Sequence, residues 1–281
     1  MRIVKSVQSL RSSIKKYKDQ NKTIGFVPTM GALHEGHLAL IRKSRRENDI
    51  VIISVFVNPK QFGPKEDFNS YSRPEKKDIL LAKNEKVDII FYPSEKEMYP
   101  TGFLTSINVE GITDVLCGAS RPGHFQGVTT VVGKLINIVT PDVMYLGQKD
   151  AQQTIVLKRM TADLNFPVTV KICPTVREAD GLAMSSRNRH LTARQRETAT
   201  VLYKSLKNAK KRILAGERSS ARIIRSMRAE IEKNSPGKID YIACVNADSL
   251  TPIKQLKGKV TITLAVKFGR TRLIDNTIFR I

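Results

Sequence analysis

Five apolar runs rich in valine and isoleucine, separated by stretches of helical periodicity, constrain this chain more than any other feature. They read TIGFVPT (23–29), IVIISVFV (50–57), VDIIFYP (87–93), DVMYLG (142–147) and VTVKICP (168–174). Helix-like segments fall between or beside them at 37–47, 73–85, 125–138 and 150–164. A strand that is apolar at nearly every position has both faces buried, and strands alternating with helices form a parallel sheet covered on both sides. The expected fold is therefore α/β: a Rossmann-like parallel sheet with helices on both faces. Ligands of such sheets bind beyond the carboxyl ends of the strands, where the strand order reverses. The loops at 28–37 and 58–73 leave strand ends of that kind.

The texture changes after about residue 175. Residues 193–233 read as two basic amphipathic helices broken at Gly216, with apolar stripes Leu202, Leu206, Ala209, Ile213 and Ile224, Met227, Ile231. Strand-like runs follow at 238–246, 259–269 and 271–276. Two units are expected: residues 1–175, carrying the parallel sheet, and a smaller α+β unit at 176–281.

The totals restrict the classes open to the chain. No apolar run in its 281 residues approaches the roughly 18–20 needed to span a bilayer. The N-terminus is basic and Ser-rich, as in a transit peptide. Val4, Val7, Leu10 and Ile14 nevertheless recur at helical spacing, which favours a short surface helix. Cys117, Cys173 and Cys244 are far apart in apolar contexts, which points to reduced thiols in a cytoplasm. The net charge of +22 favours anionic ligands, but it is spread along the chain, as a general lysine and arginine bias would leave it.

The turn between the first of the five runs and its helix carries the densest chemistry: Met30, Gly31, Ala32, Leu33, His34, Glu35, Gly36 and His37. A helix start presents unpaired N–H groups, glycines let a phosphate approach them, and two imidazoles three residues apart add donors. Two other readings stand beside phosphate binding. The histidines could simply cap the helix. They could also bind zinc, although His-Glu-Gly-His is one residue short of H-E-x-x-H and Gly36 interrupts it. Met184, Ser185, Ser186 and Arg187 combine hydroxyls with a guanidinium, a set suited to polyphosphate. Gly147, Gln148, Lys149 and Asp150 open another helix, with Lys149 a candidate phosphate cation. The loop at 62–73 is long enough for a lid, and Gln61 and Gln153 offer amides to a small polar ligand.

Taken together, FVPTMGALHEGH (26–37), FVNPKQF (56–62), GASRPGHFQGV (118–128), YLGQKDAQQ (145–153) and DGLAMSSRN (180–188) resemble the pantothenate synthetase (pantoate–β-alanine ligase) family of the nucleotidylyltransferase superfamily. IDYIACVN (239–246) and TRLIDN (271–276) extend the likeness over nearly the whole chain. The resemblance implies an ATP- and Mg2+-dependent condensation of pantoate with β-alanine through pantoyl-adenylate, giving AMP and diphosphate. It implies a cytoplasmic homodimer acting on small molecules, without nucleic acid or membrane, whose C-terminal unit closes over the nucleotide.

By the same resemblance His37, His34 and Lys149 are catalytic, and the 30–37, 147–150 and 184–187 stretches bind ATP together with the backbone at Val176. Gln61 contacts pantoate and β-alanine, and Gln153 contacts pantoate. The metal ligand stays open, with Asp150 a candidate. Ser72 and Gln148 depart from forms common in the family, and Cys117 and Gln126 occupy variable positions. The closest rival is a class I aminoacyl-tRNA synthetase, which shares His-x-Gly-His. At 281 residues, with 6% aromatic content and no tryptophan, the chain leaves little room for an anticodon-reading domain or a base-stacking platform.

Overall fold

Along IVIISV, Ile50 and Ile52 enter one apolar cluster while Val51, Ile53 and Val55 enter another. The two clusters lie on opposite faces of one sheet, because successive strand side chains alternate sides. The computed structural model describes residues 1–64 and 66–281. Lys65, inside the expected lid at 62–73, lies outside the described residues. In chain order the first unit comprises β1 (Arg2–Val4), α1 (Val7–Lys18), β2 (Ile24–Thr29), α2 (Glu35–Glu47), β3 (Ile50–Val55), α3 (Glu75–Asn84), β4 (Ile89–Phe91), α4 (Glu95–Met98), α5 (Cys117–Ser120), α6 (His124–Val139), β5 (Val143–Gly147), α7 (Ala151–Asp163) and β6 (Thr169–Cys173). There follow α8 (Ala193–Thr198), α9 (Val201–Leu214), α10 (Ser220–Asn234), β7 (Lys238–Asn246), β8 (Lys259–Phe268) and β9 (Thr271–Arg280).

The large sheet runs β1-β4-β3-β2-β5-β6, parallel throughout. Its order reverses between β2 and β5, and there the pairing is incomplete. β2 pairs with β3 over its whole length, from Ile24–Ile50 to Thr29–Val55. It pairs with β5 only at Gly25–Val143 and Phe26–Met144. Beyond those residues the strands separate, so their carboxyl ends, Thr29 and Gly147, flank a crevice.

The second unit is a three-stranded antiparallel sheet, β7-β8-β9, whose core is shared with α9 and α10. It is tied to the crevice by β9. Asn276 Nδ2 donates to the carbonyls of Gln148 (3.0 Å) and Lys149 (2.9 Å), and Gln148 Nε2 donates back to Asn276 Oδ1. Arg177 makes a two-pronged ion pair with the buried Asp275 of the same strand.

Three local expectations are corrected. Val4 belongs to the edge strand β1, where Ile3 pairs with Ile90, and the N-terminal helix begins only at Val7 behind its Ser6 cap. The 193–233 segment holds three helices, because Thr192 and Gln195 form a capping box that starts the separate α8. In α10 the buried stripe is Ile223, Met227 and Ile231; Ile224 lies one step round the helix and is only partly buried. No helix among the described residues is long and apolar enough to cross a membrane.

Helix α6 fixes the turn at Pro59–Gln61 by close approach. A Cβ on Gly127 would lie 2.1 Å from the Lys60 carbonyl oxygen, and Asn58 Nδ2 donates to the Gly127 carbonyl at 3.0 Å. Backbone cannot yield as a flexible side chain does. Gly127→Ala is therefore expected to destabilise the protein by about 1–3 kcal/mol, the scale of an overpacked core. Equilibrium denaturation checks this, and an unchanged midpoint would contradict the packing described.

Candidate functional site

The two histidines of the first turn serve the backbone and the cavity at once. His34 is the N-cap of α2, and its Nδ1 accepts the Gly36 N–H at 3.1 Å. His37 Nδ1 accepts the His34 N–H at 3.4 Å, completing a reciprocal capping box. Gly36 is required by closeness, since a Cβ there would sit 2.8 Å from His34 Cε1. With Nδ1 of each ring an acceptor, each proton must sit on Nε2, so two N–H donors remain for the cavity. The ring centroids are 4.2 Å apart. Capping and ligand binding are thus compatible roles for one pair of side chains.

Burial, reinforced by Lys149, lowers His34 to about 4, and burial followed by the neighbouring His34 lowers His37 to about 3. Both rings are neutral donors near pH 7.

Around them lies a cavity of about 230 Å³ at the crevice between β2 and β5. Its walls include Met30, His34, Gly36 and His37 from the first turn, Gln61 from the Pro59–Gln61 turn, and Gly147, Lys149, Asp150 and Gln153 from the end of β5 and the start of α7. Val176, Met184, Ser185, Ser186 and Arg187 close it, with Met184 N–H bonded to the Val176 carbonyl at 3.0 Å. A larger cavity of about 1130 Å³ opens toward the second sheet and shares Lys149, Asp150, Gln153, Ser185 and Arg187.

Gly31, Ala32, Leu33, Glu35 and Gln148 line neither cavity. The N–H groups of Ala32 and Leu33 are given to the Asp78 carboxylate, Glu35 pairs with Arg42, and Gln148 bonds Asn276.

The orientation of Gln61 follows from its neighbours. Asn58 Oδ1 accepts the Lys60 N–H (3.3 Å) and the Tyr99 hydroxyl (2.8 Å), while its Nδ2 donates to Gly127 and to Gln61 Oε1 (3.1 Å). Gln61 Oε1 is therefore occupied, and Nε2, 2.8 Å from Met30 Sδ, is the group left as a donor. The Gln61 carbonyl accepts from His124 Nδ1 at 2.8 Å. Arg121, which can only donate, fixes that tautomer through His124 Nε2 at 2.9 Å.

The loop after Gln61 is strapped across the entrance. Asp67 engages Arg187 through two 3.0 Å bonds, and Glu66 engages Arg121 through two of 2.6 Å. Arg189 donates to Ser72 Oγ at 2.9 Å, and the Tyr71 hydroxyl lies 3.4 Å from Ser186 Oγ. Arg187 is thus held by a carboxylate in this state, and Ser72 serves as a tether.

Asn58, Tyr71, Asp78, Arg121 and His124 were not singled out from the sequence. The RPGHF motif contains two of them, and a histidine three residues after an arginine at a helix start was the available signal.

The pKa shifts carry a pH signature. The folded-state values of His34 and His37 lie below the roughly 6.5 of an unfolded chain, so the unfolded state takes up protons first as pH falls. Stability from keeping the rings neutral is present above about pH 6.5 and is lost as pH drops toward the folded-state values. In the ligand-free protein, imidazole nitrogen NMR should show Nε2-protonated rings with midpoints near 4 and 3. Midpoints near the ordinary value would contradict the burial described.

Comparison with known proteins agrees with this geometry. Residues 2–278 match the family model described as pantoate-beta-alanine ligase. The chain is 54% identical to the pantothenate synthetase of Caldicellulosiruptor saccharolyticus over 281 residues, all of both chains. Its structure is similar to the crystal structure of pantothenate synthetase from Thermus thermophilus, with TM-score 0.94, 45% identity and 99% of each chain covered. It is also similar to the Francisella tularensis pantoate-beta-alanine ligase solved with beta-gamma ATP and beta-alanine, with TM-score 0.81, 37% identity, and 99% of this chain and 97% of that one covered. The strand–turn–helix cradle, the late Met-Ser-Ser-Arg segment and the full-length match lead to one assignment: this chain belongs to the pantoate–β-alanine ligase family.

Proposed function

We infer that this chain condenses pantoate with β-alanine in an ATP-consuming reaction, releasing AMP and diphosphate by way of pantoyl-adenylate, in the crevice between β2 and β5. The observation that carries this reading is the convergence of two Nε2–H imidazoles, Lys149, Gln61 and the Ser185–Ser186–Arg187 segment on one cavity. That cavity alone is below the roughly 300–1,000 Å³ of a small-molecule site. Pantoate and the phosphates meet in it beside His34 and His37, and its wall shares Lys149, Asp150, Ser185 and Arg187 with the larger cavity.

The first step is an in-line attack by the pantoate carboxylate oxygen on the α-phosphorus, with departure of diphosphate. Such transfers need positioning and charge stabilisation more than protein nucleophiles. His34 and His37 donate to phosphate oxygens as neutral imidazoles, Lys149 offsets developing charge, and Ser185 and Ser186 orient the chain of phosphates. Gln61 Nε2 and Gln153 hold pantoate. Arg187 passes from Asp67 to the triphosphate. In the second step the free amine of β-alanine attacks the acyl carbonyl and AMP leaves. The smaller unit, residues 176–281, closes the larger cavity and keeps water from the mixed anhydride.

The residues present fit a magnesium–nucleotide complex. No group of three or more His, Cys, Asp or Glu side chains gathers as a metal site among the described residues. Magnesium commonly binds one or two carboxylates plus substrate phosphates and water. Asp150, which lines both cavities with its side chain 46% exposed and among the described residues pairs only with Lys149 at 3.6 Å, is the carboxylate that would hold it. When bound, the ion supplies charge neutralisation on the phosphates.

AMP formation from ATP and magnesium should require both pantoate and β-alanine. His37→Ala should slow pantoyl-adenylate formation by about 10²–10³, the scale of losing one transition-state donor, whereas Gln61→Ala should weaken pantoate and leave ATP affinity nearly intact. AMP release without pantoate, or wild-type adenylation by His37→Ala, would overturn the reading.

A further inference from the structure

Asp78, in the first turn of α3, is a carboxylate that the reaction does not call upon, yet it is 1% exposed. No lysine or arginine forms an ion pair with it among the described residues. Its two oxygens instead accept the N–H groups of Ala32 and Leu33, each at 2.8 Å. These residues lie 46 and 45 positions away, immediately before His34. The turn they belong to is a costly one. Gly31 and Ala32 are successive residues at positive φ, +80° and +51°, and for alanine the left-handed region is unfavourable by roughly 1–2 kcal/mol. Ala32 and Leu33 are themselves buried, so their N–H groups cannot turn to water. Charge-assisted bonds from one carboxylate to two adjacent N–H groups are what hold this turn in place. Thr29 Oγ1 completes the set by accepting the Gly31 N–H at 3.1 Å.

The consequence reaches the imidazoles. The direction in which the backbone leaves Leu33 sets where His34 N–H points, and that N–H is the donor to His37 Nδ1. We propose that Asp78 is a positioning residue for adenylation: by clamping the N–H groups of Ala32 and Leu33 it fixes the pose and the tautomer of His34 and His37 without touching substrate. The carboxylate also stands five residues beyond the strapped 62–73 loop, at the base of the helix which that loop enters. This inference rests on the adenylating reading for its kinetic consequence, but its structural consequence is independent of any substrate.

The test is Asp78→Asn, which puts an amide N–H2 where one of the two acceptors stood. With circular dichroism reporting a folded protein, kcat for pantoyl-adenylate formation should fall by about 10²-fold, the effect of ångström-scale misplacement of catalytic groups. The KM for pantoate, held by the glutamines, should change little. In the ligand-free variant the imidazole nitrogen spectra of His34 and His37 should lose the single Nε2-protonated form and show mixed tautomers. Unchanged kcat with unchanged imidazole spectra would overturn the proposal, as would lowered kcat with unchanged spectra. Should Asp78→Asn fail to fold, the isosteric Thr29→Val removes the Gly31 acceptor of the same turn. It should shift the imidazole spectra in the same direction, and unaltered spectra would count against the clamp. A wild-type protein that made no adenylate would refute the functional reading while leaving the spectral test standing.

Discussion

β2 and β5 share only two residue pairs, Gly25–Val143 and Phe26–Met144, before they part, and the chemistry of this protein depends on that parting. Full pairing would place Thr29 beside Gly147 in a continuous sheet and leave no space between their following turns. Separation at the point where the strand order reverses instead leaves two turns facing each other, one bearing imidazoles and the other Lys149. The open ends are held from outside. Helix α6 presses on the Asn58–Gln61 turn through the bare face of Gly127, and Asn276 of β9 grips the carbonyls of Gln148 and Lys149.

Within the crevice, donors are oriented before any ligand arrives. Nδ1 of His34 and of His37 is committed to backbone N–H groups, Gln61 Oε1 to Asn58, and both nitrogens of His124 to Arg121 and the Gln61 carbonyl. A backbone amide or a guanidinium decides the polarity of each imidazole, and Gln61 takes its polarity from Asn58, whose own orientation is fixed by the Lys60 N–H. The result is a wall of donors facing the place where phosphate and carboxylate oxygens would lie. Preorganised donors of this kind stabilise developing negative charge without reorganising during reaction. Neutral imidazoles suit this role because they donate without carrying the desolvation cost of a buried charge, and Lys149 and Arg187 supply the positive charge beside them.

Much of this was legible in the sequence because it is local. A β-branched run followed by a Gly- and His-rich turn and an amphipathic helix specifies a strand, a crossover turn and a helix N-terminus within about twenty residues. His34, His37 and Lys149 could be named on that basis, and the Ser185–Arg187 segment from its combination of hydroxyls with a guanidinium. What escaped notice is long-range pairing of polar groups. Asp78 with Ala32 spans 46 residues, His124 with Gln61 spans 63, and Arg187 with Asp67 spans 120. No periodicity encodes those meetings; they arise when the sheet brings loop ends together. The edge strand β1 escaped for a different reason. Three residues with polar flanks carry too little pattern, and Val4 happened to extend the helical spacing of Val7, Leu10 and Ile14.

The position of the triphosphate is the point on which adenylation in this crevice stands or falls. A crystal structure with a non-hydrolysable ATP analogue, magnesium and pantoate would measure it directly. Phosphate oxygens are expected within hydrogen-bond distance of His34 Nε2 and His37 Nε2, with Arg187 released from Asp67 onto the nucleotide. A triphosphate lodged against the second sheet, with both imidazoles free of it and the Arg187–Asp67 pair intact, would contradict that placement and the chemistry built on it.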